Sequence, residues 1–114
     1  MPALPDIRAR RLKPSRSGND NNCVTWLFVD GYVEIGSTER PDGPYMVVTE
    51  TQFLQLEQDV RDGHHRGAIQ WRVAADGNAE VSYEGQPTQT YTAIEWQMFH
   101  ESVIAGLPGI PVPA

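Results

Sequence analysis

Residues 24–36 read Val-Thr-Trp-Leu-Phe-Val-Asp-Gly-Tyr-Val-Glu-Ile-Gly, and this stretch decides the fold. Residues 24–29 are dense in β-branched and aromatic side chains and read as a buried strand. Asp30-Gly31 is a strong two-residue hairpin signal, because such a turn needs positive φ at both positions. Residues 32–36 then read as the returning strand. A polar loop follows over 37–44, with Pro41-Asp42-Gly43-Pro44 as its turn. Residues 45–48, Tyr-Met-Val-Val, form a third strand.

Working outward, Thr49 opens a helix. Gln52 completes a capping box, in which each side chain satisfies an orphan backbone donor of the other residue. Glu50 puts negative charge at the positive end of the helix dipole. Phe53, Leu56 and Val60 recur on one helical face, and Gly63 stops the helix.

The pattern then returns. Residues 68–73 read as a strand, Asp76-Gly77 or Gly77-Asn78 as a turn, 80–83 as the returning strand and 88–91 as a short third strand. Thr92 begins a second helix with Glu95 at the capping-box position. In the helices Thr49 matches Thr92, Phe53 matches Trp96, Leu56 matches Phe99, Val60 matches Val103 and Gly63 matches Gly106. In the strands Val24 and Trp26 match Ile69 and Trp71, and Glu34-Ile35 matches Glu80-Val81. A repeat that keeps cap, apolar face and stop in order predicts an α+β fold. It consists of two small antiparallel β-rich units, each ending in an α-helix, packed as a pseudo-dimer. The units span 17–63 and 64–107. They are flanked by a flexible basic arm over 1–16 and a Pro-rich tail over 108–114 that is extended or disordered.

The chain of 114 residues is 39% hydrophobic and 21% charged, a globular composition. Its net charge of −6 is uneven: residues 1–16 hold five of the nine lysines and arginines. The strongly acidic remainder repels phosphate, so direct nucleic-acid binding by the folded body is not expected, whereas a basic protein surface suits it. No apolar run reaches membrane-spanning length, and the N-terminus lacks a signal-peptide core. With a single cysteine, Cys23, and therefore no internal disulfide, the expectation is a cytoplasmic protein.

Chemical constellations are sparse. Cys23 reads as a small buried residue rather than a redox thiol. His64-His65 reads as a solvated linker, because His100 and Cys23 are not spaced to complete a zinc site. Glu57, Asp59, Asp62 and Glu101 read as exposed helical charges. No P-loop, dinucleotide turn, nucleophile elbow or zincin helix is present. No catalytic residue, cofactor or metal is expected. The second helix carries Ile94, Trp96, Met98, Phe99, Val103 and Ile104, too many for one narrow face. That surplus makes Trp96, Met98, Phe99, Val103 and Ile104 the candidate partner interface.

The run Leu12-Lys13-Pro14-Ser15-Arg16-Ser17-Gly18-Asn19 with Asn22-Cys23-Val24 resembles the opening of the BldB-like family, small actinobacterial proteins catalogued as domain of unknown function 397. The order Pro41-Asp42-Gly43-Pro44, short apolar strand, Thr49, helix with early aromatic Phe53 extends the resemblance over residues 12–63. Leu12 and Phe53 stand where the family favours Trp, and residues 64–107 extend beyond its short form. The resemblance implies a non-enzymatic regulatory protein that binds a helix-turn-helix transcriptional regulator in development or secondary metabolism. A homodimer is the expected assembly. The alternatives are an inhibitor or antitoxin-like protein that occupies a basic surface, and a small-molecule sensor, which needs a pocket with convergent polar groups.

Overall fold

The hairpin of residues 24–36 sits at the centre of a five-stranded antiparallel sheet. The structure, a computed structural model, describes residues 11–14, 23–40, 42–106 and 109–111. Its elements are β1 (Leu12–Lys13), β2 (Val24–Val29), β3 (Tyr32–Ser37), β4 (Met46–Thr49), α1 (Glu50–Asp62), β5 (Gln70–Val73), β6 (Ala79–Ser82), β7 (Gln89–Tyr91), α2 (Ala93–Ala105) and β8 (Ile110–Pro111). The first sheet runs β4-β3-β2-β1-β8 and the second β5-β6-β7. The fold is therefore α+β, with the strand-strand-helix pattern repeated.

Local chemistry explains the elements. Asp30 and Gly31 both have positive φ, 49° and 84°, and Val29 pairs with Tyr32 across them. That geometry lets the turn follow the twist of its strands. Both capping boxes form: Thr49 with Gln52, and Thr92 with Glu95. Both helices end at a left-handed glycine, Gly63 and Gly106. The expected strands shift by one or two residues at their ends. Tyr45, for example, lies just outside β4, whose pairing with β3 ends at Met46, and its ring covers the Arg11 guanidinium, 4.1 Å away.

One core serves both halves. Val24, Trp26, Val33, Ile35, Met46 and Val48 of the first sheet, Ile69, Ala79, Val81 and Tyr91 of the second, and both helices belong to a single buried cluster. Within it an aromatic chain crosses the molecule. Phe53 meets Trp26 at 6.0 Å, Trp26 meets Phe99 at 5.8 Å, Phe99 meets Trp96 at 5.4 Å and Trp96 meets Trp71 at 5.8 Å. Each such pair contributes about 0.5–1.5 kcal/mol beyond the area it buries. α1 packs on β3 and β4, whereas α2 packs on β7 and also on β2 of the other sheet. Polar ties cross the same seam. Tyr91 Oη donates to Gly36 O, Gln52 Nε2 to Tyr83 Oη and Arg40 Nη2 to Thr90 O, each at 2.9 Å. Burial pushes the Tyr91 phenol well up, so it stays a donor.

The N-terminal segment corrects one expectation. Residues 11–14 are not part of a flexible arm: Arg11 and Lys13 are buried, and Leu12 pairs with Trp26. The Arg11 Nε donates to Thr25 Oγ1 at 2.9 Å, and Nη1 bridges to Glu34 Oε1 at 3.2 Å. Gly36 leaves the space: a Cβ there would stand 2.7 Å from the Tyr45 ring and 2.8 Å from Arg11 Nη2. In the tail, expected to be extended or disordered, residues 110–111 form the extended strand β8, which pairs with β1. β1 thus covers the edge of β2, and β8 in turn covers the edge of β1. Residues 1–10 and 15–16 of the arm, and 108 and 112–114 of the tail, lie outside the described residues.

Candidate functional site

The five residues expected at a partner interface divide between two faces of α2. Trp96, Phe99 and Val103 are core, each 5% exposed or less. They cannot reach a partner without opening the cluster that joins the two sheets, so the expectation fails for these three. Ile104 is 55% exposed and Met98 is half-buried, and Ile94, on the same outer side, is 59% exposed. On α1, Leu54 is 51% exposed. Glu50 and Asp62 of α1 and Glu101 of α2 are also exposed. The two helices adjoin, and Arg61 Nε of α1 donates to Val103 O of α2 at 3.3 Å. Arg61 thus supplies positive charge to the end of a helix that has no basic residue in its own last turn.

The carboxylates read as exposed also separate. Asp62 and Glu101 are exposed, but Asp59 is buried. Its Oδ2 accepts from Arg66 N at 3.0 Å and Gly67 N at 2.8 Å, and its Oδ1 accepts from Gln55 Nε2 at 2.9 Å. Burial alone would raise its pKa. The bonds from Gly67, Gln55 and Arg66 outweigh that and hold it below the usual Asp value. Asp59 therefore fixes the linker between the two halves. His64 and His65 are exposed, as expected for a linker, although the His65 ring stacks on Trp71 at 4.6 Å. Cys23 is fully buried.

A cleft of about 310 Å³ opens between the helices and the first sheet. Trp26, Phe28, Phe53 and Phe99 line it, with Leu12, Val103 and Gly109. Two polar groups enter it, Glu57 and Ser102. Burial raises the Glu57 carboxyl above its ordinary value, and the charge of Arg61 draws it partly back. Ser102 Oγ is buried and makes no hydrogen bond. Sequence reasoning missed both residues. The available signals were that Ser102 matches Asp59 in the repeat, and that Glu57 follows Phe53 by one helical turn.

A second cleft, of about 330 Å³, lies along the seam between the halves. Its polar groups are already engaged: Arg40 with Thr90 O, Arg72 with Glu80 at 3.0 Å, and Glu95 with the backbone N–H of Thr92 at 2.7 Å. That cleft is a structural joint. Among the described residues no group of three or more His, Cys, Asp or Glu side chains is placed to hold a metal ion. Among them, too, no helix is long and apolar enough to cross a membrane. Compared with known proteins, the chain matches no family model, no curated protein and no solved structure.

Proposed function

We propose that the chain is a non-enzymatic, cytoplasmic protein-binding module whose partner presents a basic surface, and that this partner is a helix-turn-helix transcriptional regulator. The regulator class comes from the BldB-like resemblance of residues 12–63. The observation that carries the binding role is the outer surface of the helix pair. Leu54, Ile94 and Ile104 are each more than half exposed on these two helices, which also carry the exposed carboxylates Glu50, Asp62 and Glu101. Single exposed apolar residues are ordinary. Three on adjoining helices that also carry exposed carboxylates suit a partner that offers apolar anchors within a positive field. Calorimetry with helix-turn-helix regulators from the host, any encoded by a neighbouring gene first, tests the reading. The intact protein binds one of them, and Ile94→Asp combined with Ile104→Asp weakens binding at least about tenfold without lowering the melting temperature. Absence of binding by the intact protein overturns the reading.

The expected homodimer finds support at β5, an edge strand of the second sheet. Ala74 N–H donates to Asn78 O, and Arg72 pairs with Glu80 in β6. Antiparallel alternation then turns the backbone groups of Trp71 and Val73 away from β6. A second copy pairing antiparallel about Trp71 uses those groups and keeps Arg72 away from its own counterpart. Val73→Pro removes one outward donor and should convert a dimer to a monomer in a light-scattering measurement. A chain that is monomeric before substitution refutes this pairing.

A further inference from the structure

The first sheet has two faces, and the shared core uses one of them. Val24, Trp26, Val33, Ile35, Met46 and Val48 point into that core, where α1 and α2 cover them. The residues that alternate with these point the opposite way. Tyr32 lies opposite Val29 on β2 and Thr49 on β4, and Glu34 lies opposite Val47. Tyr32 and Val47 are therefore diagonal neighbours on the outer face, about 7–8 Å apart and within reach of a tyrosine ring. Tyr32 is 54% exposed and Val47 41%, and Val29 and Thr49 beside them are half-buried.

The second half supplies a comparison. The repeat matches Val47 with Thr90 and Tyr32 with Asn78, and all four are exposed. On the outer face of the second sheet Gln70, Arg72, Glu80, Ser82 and Thr90 are polar and exposed. Packing inside the fold does not account for the apolar residues of the first sheet, because the matching exposed positions of the second are polar.

Charge decides what fits this face. Asp30, in the turn between Val29 and Tyr32, is exposed. So is Glu50, whose N–H donates to Gly31 O of the same turn at 2.9 Å. Both carboxylates thus stand at the turn end of the patch. Among the described residues between 23 and 50 the sole cation is Arg40, half-buried and bonded to Thr90 O. Arg11 and Lys13 of β1 and its approach are buried. Two copies of this chain meeting face to face would set acidic rim against acidic rim with no exposed cation between them. A partner that brings apolar side chains together with cations meets no such repulsion.

We propose that this face docks an amphipathic helix of another protein, apolar along one side and flanked by lysine or arginine. A helix is an element that covers a sheet face, and α1 already does so on the opposite side of β3 and β4. The apolar side of the docked helix covers Val29, Tyr32 and Val47, and its cations meet Asp30 and Glu50. The face lies across the sheet from α1 and α2, so this site is separate from the surface at Ile94 and Ile104 and does not rest on it.

The test is a titration of the intact ¹⁵N-labelled protein, followed at the backbone amides of Tyr32, Val47, Thr90, Ile94 and Ile104. The probes are two short peptides with the same helical pattern of leucines, one completed with lysine and the other with glutamate. The leucine–lysine peptide should shift Tyr32 and Val47 saturably and leave Thr90 in place. It should bind at least about tenfold more tightly than the leucine–glutamate peptide. Asp30→Asn with Glu50→Gln should remove most of that difference, and Tyr32→Thr with Val47→Thr should weaken the lysine peptide at least about tenfold. All four positions are exposed, and asparagine accepts the positive φ of residue 30, so melting temperatures should stay close to that of the wild type. Shifts confined to Ile94 and Ile104 place the peptide on the helix pair and overturn this proposal while leaving the protein-binding reading intact. Concentration-dependent shifts at Tyr32 and Val47 without peptide assign the face to a second copy and overturn it too. So does the absence of a saturable shift, equal affinity for the two peptides, or full affinity after Tyr32→Thr with Val47→Thr.

Discussion

Replacing Asp59 with alanine should be among the most damaging polar substitutions in this chain. The carboxylate accepts two backbone N–H groups, from Arg66 and Gly67, and the Gln55 side chain. Hydrogen bonds to a charged group contribute about 1.5–3 kcal/mol each. Gln55 is only half-buried and can turn to water, and Arg66 is exposed, so its N–H regains part of its bond from solvent. Counting one N–H as fully lost and the other as partly rescued gives a destabilisation of about 2–4 kcal/mol. For a domain near this size that lowers the melting temperature by roughly 10–20 °C. Asp59→Asn retains one acceptor oxygen and should cost about 1 kcal/mol. The Asn variant also isolates the role of charge. Because the folded chain holds the Asp59 carboxyl below its usual range, its stabilisation is present above the unfolded pKa and is lost as pH falls through the folded one. Urea denaturation of wild type and Asp59→Asn, at neutral pH and at pH values below the ordinary Asp pKa, should show their stabilities converging as the pH falls. A gap that stays constant with pH refutes the charge-based account, and an Asp59→Ala cost below about 0.5 kcal/mol refutes the linker-fixing account.

Three further substitutions test other parts of the fold. Phe99→Ala should cost about 3–5 kcal/mol in a urea titration, since Phe99 is 1% exposed and touches both Trp26 and Trp96; Phe99→Asp should abolish folding by circular dichroism. Thr49→Ala and Thr92→Ala should each cost about 1 kcal/mol, and because the caps lie on separate helices their thermal-melt costs should add in the double variant. Arg11→Ala should cost about 2–4 kcal/mol in the same melts, because it leaves half-buried Glu34 without its ion-pair partner, uncovers the Tyr45 ring and removes the tie to Thr25; an arm that were merely solvated would show no change.

The hairpin and the two capped helices were legible because each rests on a local rule. Asp30-Gly31 sets its own turn, and Thr49–Gln52 and Thr92–Glu95 satisfy their own backbone donors. The strands β1 and β8 were not legible. Each has two residues, too few for any period, and each exists only because a neighbour leaves an edge to pair. The burial of Arg11 escaped for the same reason: its partners Thr25, Glu34 and Tyr45 are distant in sequence. From the sequence Asp59 and Glu57 read as surface charges, because a carboxylate on a helix is usually solvated. Nothing local announced that the linker after α1 would fold back to donate to Asp59.

The division of α2 into core and outer faces was nevertheless contained in the repeat. Its apolar residues alone give no clear face, since Ile94, Trp96, Met98, Phe99, Val103 and Ile104 spread around the helix. Comparison with α1 resolves them. Trp96, Phe99 and Val103 align with Phe53, Leu56 and Val60, and all six are buried. Ile94, Met98 and Ile104 align instead with Thr51, Gln55 and Arg61, which are polar and no more than half-buried. The second set departs from the pattern that packs the core, so packing does not account for its apolar character. The two exposed isoleucines and Met98 are therefore the residues for which a reason outside the fold is required, and the variants built at Ile94 and Ile104 probe that reason without disturbing Trp96, Phe99 or Val103.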